Sequence, residues 1–193
     1  GTSFGFRLGS AFNLAAGITN DDYPVGRWIA PAAIGITLAD LVRERGALPL
    51  HEAVEIVARA LEVLARVHAR GVIHRDLKPT NILRVGEMVY LIDFGIALSP
   101  EHTRFTAPLQ GVGTPGYLPP EQAVGFASPA SDFFALARTL FVLVAGRLPR
   151  REDERPSEAR PDLPPVVDAW YQQATQFDPA ARFPGAVEMA GAL

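Results

Sequence analysis

The side chains that could do chemistry are concentrated between His74 and Asn81, and a further carboxylate, Asp93, follows a short apolar run. The stretch combines the carboxylate of Asp76, the ammonium of Lys78 and the amide of Asn81. These are functional groups of phosphoryl transfer, which needs a positioned hydroxyl, neutralised phosphate charge and a coordinated metal. Because the stretch follows a predicted helix and precedes a predicted strand, we expect a loop on a rigid base.

The motifs make a family resemblance specific. His74 to Asn81 reads His-Arg-Asp-Leu-Lys-Pro-Thr-Asn, and Asp93 to Gly95 reads Asp-Phe-Gly. This pair resembles the catalytic loop H-R-D-x-K-x-x-N and the D-F-G motif of the eukaryotic-type protein kinases. Gly113 to Gln122 is similar to the corresponding segment of bacterial Ser/Thr kinases. The resemblance covers nearly the whole chain, but only the large C-terminal lobe of that family.

The resemblance implies a role for each polar side chain of the two motifs. Asp76 would accept or orient the proton of the substrate hydroxyl, and Lys78 would place a point charge on the γ-phosphoryl group. Asn81 and Asp93 would supply the oxygen ligands that suit a hard Mg²⁺ ion. ATP and Mg²⁺ are therefore the expected cofactors, and a protein Ser or Thr hydroxyl is the expected acceptor.

The resemblance also implies regulation by phosphorylation. Arg75, next to the catalytic Asp, resembles the arginine of kinases that are switched by phosphorylation of the activation loop. It would pair with a phosphate on Thr103 or Thr106. Thr114 would hydrogen-bond toward the two catalytic side chains, so it belongs to the same regulatory segment.

Other residues match family positions with a structural role. His74 would pack in the core, and Asp132 would tether the backbone of the catalytic loop. Glu121 would form a buried ion pair with Arg182, and losing one partner of such a pair costs about 3–5 kcal/mol. We expect these residues to be architecture rather than chemistry.

Composition bounds the function class. A length of 193 residues suggests one domain, and 48% hydrophobic against 20% charged residues rules out wholesale disorder. A formal net charge of −3 supplies no basic field for nucleic acid or an anionic membrane. The absence of cysteine excludes disulfides and thiol chemistry, and no apolar run reaches the length of a membrane span. We expect a cytoplasmic protein with protein partners.

Two helices and a hairpin are predicted around the catalytic loop. Thr37 to Asp40 has capping-box spacing before a helix that stops at Gly46. His51 to Arg70 repeats apolar residues at helical spacing and is the clearest helix. Asn81 to Val85 and Met88 to Ile92 flank a Gly-Glu turn and read as a β-hairpin. The catalytic loop therefore lies between the long helix and the hairpin.

The second half of the chain is predicted to be mostly helical. Phe133 to Ala145 is apolar on all sides and should run through the core. Arg147 to Pro165 is charged and rich in proline, so we expect an exposed linker where the family has a docking helix. Val166 to Phe177 and Ala186 to Leu193 are predicted closing helices. Ser99 to Ala130 should be mostly loop.

These elements predict an α+β fold that is mainly α, namely a kinase-like large lobe over residues 36–193. Residues 1–35 would be a short β-hairpin remnant of the small lobe with the hinge. Ala32 in that hinge and Leu83 would contact the adenine ring. Lys78 is the only lysine of the chain, so the small-lobe lysine of the family is missing. A separate or upstream small lobe would have to complete the enzyme, and the isolated chain should transfer negligible phosphate.

Two alternatives to an active kinase lobe stay open. A kinase-like binding or regulatory module without transfer activity, a pseudokinase, would retain the motifs and expose part of the nucleotide cleft to water. A small-molecule phosphotransferase with a related lobe is disfavoured by the pattern of Arg75, Lys78, Thr114 and Glu121.

Overall fold

The computed structural model describes residues 35–94 and 114–193 of the chain. Within these ranges the fold is α+β and mainly α, as predicted, with helices packed around a central one and a small sheet at one end. The predicted small-lobe remnant, with Ala32 in its hinge, lies outside the described residues, as do the two candidate regulatory residues Thr103 and Thr106.

Every predicted helix and the predicted hairpin have a counterpart whose ends differ by a few residues. The helices are α1 (Leu38–Arg45), α2 (Leu50–His68), α3 (Pro120–Ala123), α4 (Pro129–Ala145), α5 (Pro156–Ala159), α6 (Pro165–Ala174) and α7 (Ala186–Gly191). The strands are β1 (Ile36–Thr37), β2 (Ile82–Val85) and β3 (Met88–Leu91), and 3₁₀ turns span Pro79–Asn81 and Pro179–Ala181. The one-turn helices α3 and α5 and the strand β1 were not predicted.

The helix caps form where the sequence places them. Thr37 Oγ1 accepts a hydrogen bond of 3.1 Å from the backbone N–H of Asp40, which satisfies a donor that the first turn of α1 would otherwise leave free. Gly46 ends α1 with φ of 72°, a conformation that glycine adopts without a steric penalty. Helix α2 buries the face that carries Val57, Leu61 and Leu64, which confirms its predicted amphipathic pattern.

The sheet has three antiparallel strands in the order β1, β2, β3. The predicted hairpin pairs Leu83 with Tyr90 and turns at Gly86, whose φ is 60°. Strand β1 adds to the other side of β2 and pairs Ile36 with Arg84. The sheet positions both motif segments. The first motif runs directly into β2, and β3 runs into the segment that contains Asp93.

Helix α4 runs through the core, as its all-round apolarity predicts. All of its residues from Ser131 to Val144 are buried, and α2 and α6 pack against it. Its polar residues beyond the first turn are Arg138 and Thr139, and Arg138 donates a hydrogen bond of 2.8 Å to the hydroxyl of Tyr171 in α6. Within the described ranges, no helix combines the length and the apolarity that a membrane span requires.

The expected exposed linker between Arg147 and Pro165 is wrong for part of its length. Glu154 is only 4% exposed, because its carboxylate receives the guanidinium of Arg147 and the backbone N–H of Arg150. Pro156 begins the short helix α5, and Leu163 is buried. A charged side chain of this segment, Glu154, is therefore buried in an ion pair with Arg147, which composition alone could not indicate.

Candidate active site

The carboxylate of Asp76 gathers the polar side chains of the catalytic loop. Lys78 Nζ donates to Asp76 Oδ2 at 2.7 Å, and Asn81 Nδ2 donates to the same oxygen at 3.0 Å. Thr114 Oγ1 donates to Asp76 Oδ1 at 3.2 Å while it accepts from Lys78 Nζ at 2.7 Å. These four residues, which we call the Asp76 cluster, form one connected network at a partly exposed position.

Asn81 links the catalytic loop to the second motif. It ends the 3₁₀ turn that Pro79 begins, and its side-chain N–H group also holds the backbone carbonyl of Asp76 at 2.8 Å. Its own backbone carbonyl accepts a hydrogen bond of 2.9 Å from the N–H of Ile92. Asp93 therefore follows directly on a residue that is bonded to Asn81, and the two predicted metal ligands lie on adjacent backbone segments.

Asp93 is exposed and has a left-handed backbone conformation with φ of 55°. The next residue, Phe94, packs its ring on the imidazole of His74, with ring centroids 4.4 Å apart. The preceding residue, Ile92, accepts a hydrogen bond of 3.1 Å from His74 Nε2. Contacts on both sides thus fix Asp93 while its carboxylate stays accessible to solvent.

His74 is fully buried between the two motif segments. Its Nδ1 faces the backbone N–H of Asp76 at 3.4 Å, so this nitrogen accepts, and Nε2 carries the proton that the carbonyl of Ile92 receives. Burial lowers the pKa of His74 and outweighs the opposing charges of Asp132, Asp76 and Asp93. His74 is therefore neutral and joins the segments as a rigid spacer.

Asp132 at the start of α4 binds the backbone of the catalytic loop. Its side chain is 1% exposed and accepts from the N–H groups of His74 and Arg75, each at 2.9 Å. His68 Nε2 lies 2.8 Å from the same carboxylate. We call Asp132, His68, His74 and Arg75 the Asp132 cluster. Sequence reasoning missed the polar contact of His68, because its helical spacing indicated only a place on the apolar face of α2.

The Glu121–Arg182 pair anchors α3 to the end of the lobe. Arg182 donates from Nη1 and Nη2 to the two carboxylate oxygens of Glu121 at 2.7 and 2.9 Å, and Ser131 Oγ donates to the same carboxylate at 2.7 Å. Burial would raise the pKa of Glu121, but the hydrogen bonds from Arg182 and Ser131 hold it below its usual value. The arginine also lies over the ring of Phe134, 5.0 Å from its centroid.

An unusual backbone conformation occurs two residues after Thr114. Gly116 has φ of 90°, and a Cβ there would come within 2.9 Å of Leu148 Cδ1. A side chain would be strained in that conformation whatever space is available. Glycine thus lets this segment lie close to the side chain of Leu148, which follows the end of α4.

Two further predicted residues lie within the described ranges. Leu83 is buried in β2, and Arg75 is half-buried with φ of 71°. Gln122 of α3, which the sequence did not single out, donates from Nε2 to the backbone carbonyl of Arg75. The sequence placed Gln122 in a segment expected to be mostly loop, which gave no indication of a contact to the catalytic loop.

The arrangement suits a cation that is held jointly by protein and substrate. Within the described ranges, no three His, Cys, Asp or Glu side chains gather as a metal cage. Asn81 Oδ1 and the carboxylate of Asp93 are the oxygens at hand, and Oδ1 shares one contact of 3.3 Å with the Thr80 hydroxyl. Mg²⁺ is commonly bound by one or two such ligands together with substrate phosphates and water, so the donor set fits it.

Comparison with known proteins gives one consistent family. A model described as "Protein kinase domain" matches residues 29–180. The chain is similar to the serine/threonine-protein kinase PksC of Streptomyces coelicolor, with 37% identity over 86% of the chain and 33% of the relative. It is similar to PrkC of Bacillus subtilis, with 34% identity over 80% of the chain and 26% of the relative. The chain thus spans about a third or less of the length of these relatives.

A solved structure shares the fold. The crystal structure of the Mycobacterium tuberculosis PknI kinase domain aligns with a TM-score of 0.67 and 31% sequence identity. The alignment covers 82% of this chain and 60% of that one.

Proposed function

The chain belongs to the protein kinase family, and on that premise we propose that it carries the catalytic lobe of a Ser/Thr protein kinase. The reaction is transfer of a phosphoryl group from Mg-ATP to a Ser or Thr hydroxyl of a protein. The observation that carries the proposal is the Asp76 cluster, in which one carboxylate holds Lys78, Asn81 and Thr114 in a single network.

Asp76 is the residue that receives the acceptor hydroxyl. Among the described residues, its Oδ1 accepts only the bond from Thr114, so a lone pair remains for a substrate O–H. Oδ2 is occupied by Lys78 and Asn81, which fix the plane of the carboxylate. A base that is held in one orientation positions the attacking oxygen, and positioning supplies much of the catalysis of phosphoryl transfer.

Lys78, Asn81 and Asp93 act on the phosphate side. ATP supplies the phosphoryl group, and Mg²⁺ neutralises charge on its phosphates. Asn81 and Asp93 offer their side-chain oxygens to the cation, and Lys78 brings a positive charge next to Asp76, at a distance of 2.7 Å. The positions that resemble family motifs thus divide between the acceptor and the donor of the reaction.

Backbone strain supports a functional reading of the two motif segments. In the described part of the chain, the non-glycine residues with positive φ are Arg75 and Asp93, one in each motif. Such conformations cost on the order of 1–3 kcal/mol each and persist where surrounding contacts enforce them. Strain confined to these residues is typical of a site that needs a particular side-chain direction.

The finer assignments are part of the same proposal. Residues 36–193 form the large lobe, and residues 1–35 contribute small-lobe strands and the hinge, where Ala32 joins Leu83 at the adenine. Arg75 binds a phosphate on Thr103 or Thr106 when the segment is phosphorylated. His74, Asp132, Glu121 and Arg182 support the site without touching substrate. The cytoplasmic location stays a prediction.

One observation favours the alternative of a binding module without transfer activity. Lys78 is the only lysine in the sequence, so no strand lysine of the family is present in these residues to hold the α- and β-phosphates. Without that contact and the part of the small lobe that surrounds it, water would weaken the electrostatic stabilisation of phosphoryl transfer.

The test measures transfer from radiolabelled Mg-ATP to a protein acceptor by the complete protein that contains this chain. We expect Asp76→Asn to lower the rate by about 10²–10⁴-fold. Asp153→Asn, whose side chain is 84% exposed, is the matched control and should leave the rate unchanged. Equal rates for wild type and Asp76→Asn would refute the proposal.

A binding measurement separates the kinase from the binding module. The thermal shift of the chain is measured with ATP and Mg²⁺. A Mg²⁺-dependent shift of the wild type that Asp93→Ala removes, together with no transfer by the complete protein, would favour the binding module. A shift that Asp93→Ala leaves unchanged would mean that the nucleotide is held elsewhere.

A further inference from the structure

The backbone of Arg75, the residue that precedes Asp76, is held by two different elements. The backbone N–H of Arg75 donates to Asp132 of α4 at 2.9 Å, and the backbone carbonyl of Arg75 accepts from Gln122 of α3. Arg75 has φ of 71°, a conformation that a non-glycine residue adopts only when surrounding contacts enforce it. Both backbone groups of this strained residue are therefore pinned from outside the loop.

The contact to Gln122 bears on the orientation of the peptide between Arg75 and Asp76. The plane that contains the carbonyl of Arg75 also contains the N–H of Asp76. That N–H reaches His74 Nδ1 only at 3.4 Å, at the far end of the hydrogen-bonding range. The carbonyl therefore makes the main contact of this peptide with a neighbouring element, and a change in the carbonyl direction would rotate the backbone from which Asp76 projects.

Helix α3 is well placed to act as a fixed support. Glu121, next to Gln122, is locked to Arg182 by two hydrogen bonds and to Ser131 by a third. The helix follows the segment of Thr114, which itself bonds to Asp76. One short helix is thus attached to the lobe through Glu121 and to the catalytic loop through Gln122.

We propose that Gln122 is a positioning residue for Asp76, and that its side-chain amide fixes the Arg75 carbonyl and with it the direction of the Asp76 side chain. The catalytic consequence rests on the proposed function. The hold of the Gln122 amide on the Arg75 carbonyl, which we call the grip, does not. Gln122 touches neither acceptor nor nucleotide, and it acts through the backbone of Arg75.

The first experiment measures amide hydrogen exchange of Arg75 and Asp76 in the chain by NMR. Gln122→Met keeps the length of the side chain but removes the donor, and Gln122→Glu places an acceptor against the carbonyl. We expect exchange at the two amides to become roughly tenfold faster, since one hydrogen bond that holds the loop closed is lost. Amides of α6 should not change.

The matched control is Gln173→Met, at an exposed position on α6. It should leave exchange at Arg75 and Asp76 as in the wild type. Unchanged exchange at these amides in both Gln122 variants would overturn the grip, whatever the activity. If one Gln122 variant fails to fold, as thermal melting would reveal, the other gives the result.

The second experiment follows transfer kinetics in the complete protein. We expect kcat to fall about ten- to a hundredfold in Gln122→Met with an unchanged KM for ATP, because the base is misplaced while Asn81 and Asp93 are untouched. A raised KM for ATP with unchanged kcat would overturn the positioning role. If the wild type transfers no phosphate, the proposed function fails, and the exchange measurement still decides the grip.

Discussion

Two aspartates a short distance apart in the fold show opposite designs. Asp132 has a side chain that is 1% exposed, and it receives backbone N–H groups of two consecutive residues. Asp76 has a side chain that is 27% exposed, and it receives the side chains of Lys78, Asn81 and Thr114. Both carboxylates accept several hydrogen bonds. Asp132 receives two of them from backbone N–H groups, whereas the donors to Asp76 belong to side chains, which can rotate.

The difference separates support from chemistry. Backbone donors cannot rotate away, so Asp132 and its partners fix the path of the chain. Side-chain donors can exchange partners at low cost, so the Asp76 cluster can admit a hydroxyl and a phosphate where Thr114 and Lys78 now meet. The comparison predicts that damage to the support acts on stability, whereas damage to the Asp76 cluster acts on activity.

The largest effect on stability is expected for the Glu121–Arg182 pair, which, like Asp132, we assign to the structural support of the site. Arg182→Met leaves the partly buried carboxylate of Glu121 without its partner and should lower the free energy of unfolding by about 3–5 kcal/mol. Urea denaturation measures this difference. Arg151→Met, which breaks a pair whose arginine is 60% exposed, is the control and should change the free energy of unfolding far less.

A loss of equal size in both arginine variants would contradict the view that burial makes the Glu121–Arg182 pair important. A small loss in both would mean that α3 does not depend on this anchor.

The two aspartates can be compared directly by the same substitution. Asp132→Asn turns one acceptor into a donor that faces backbone N–H groups, so we expect a loss of about 1–3 kcal/mol in the free energy of unfolding. Asp76→Asn should change it by less than about 1 kcal/mol, because its pair with Lys78 is partly exposed. Denaturation of both variants under one set of conditions gives the answer, and the reverse order would break the comparison.

A pH dependence is expected in the segment after α4. The guanidinium of Arg147 and the N–H of Arg150 lower the pKa of Glu154 to about 2 in the folded chain. The unfolded value is near 4.5, so the stabilisation is fully present above that pH and is lost as pH falls toward about 2. The stability difference between wild type and Glu154→Gln should therefore shrink over this window.

Thermal melting of both proteins from pH 6 downward measures this difference. A constant gap between them at every pH would show that Glu154 contributes through its shape and not through its charge.

The sequence predicts best what is local. The caps of α1, the hairpin turn at Gly86 and the closely spaced polar residues of the catalytic loop all depend on neighbours within a few positions. The burial of α4 was also predictable, because a helix that is apolar on every side has no face left for water. These features are set by propensity and hydrophobic pattern.

Contacts between distant elements were harder to predict. His68 and Asp132 are 64 positions apart, and nothing in the spacing of α2 distinguishes a histidine that packs from one that also bonds a carboxylate. Gln122 binds a backbone carbonyl. Because every residue has one, the identity of Arg75 gives no indication of this contact. Glu154 is buried because Arg147 faces it, so a charged residue was wrongly expected to be exposed.

The central helix α4 has a consequence for how the polypeptide is made. Helix α6 covers α4, and α7 covers α2, yet both covering helices lie closer to the C-terminus. Until α6 has been synthesised, α4 lacks part of the surface that buries it, although α2 is already present. Apolar stretches exposed in this way are prone to aggregate and attract chaperones. A chain that stops before α6 is therefore expected to expose apolar surface of α4 and to aggregate.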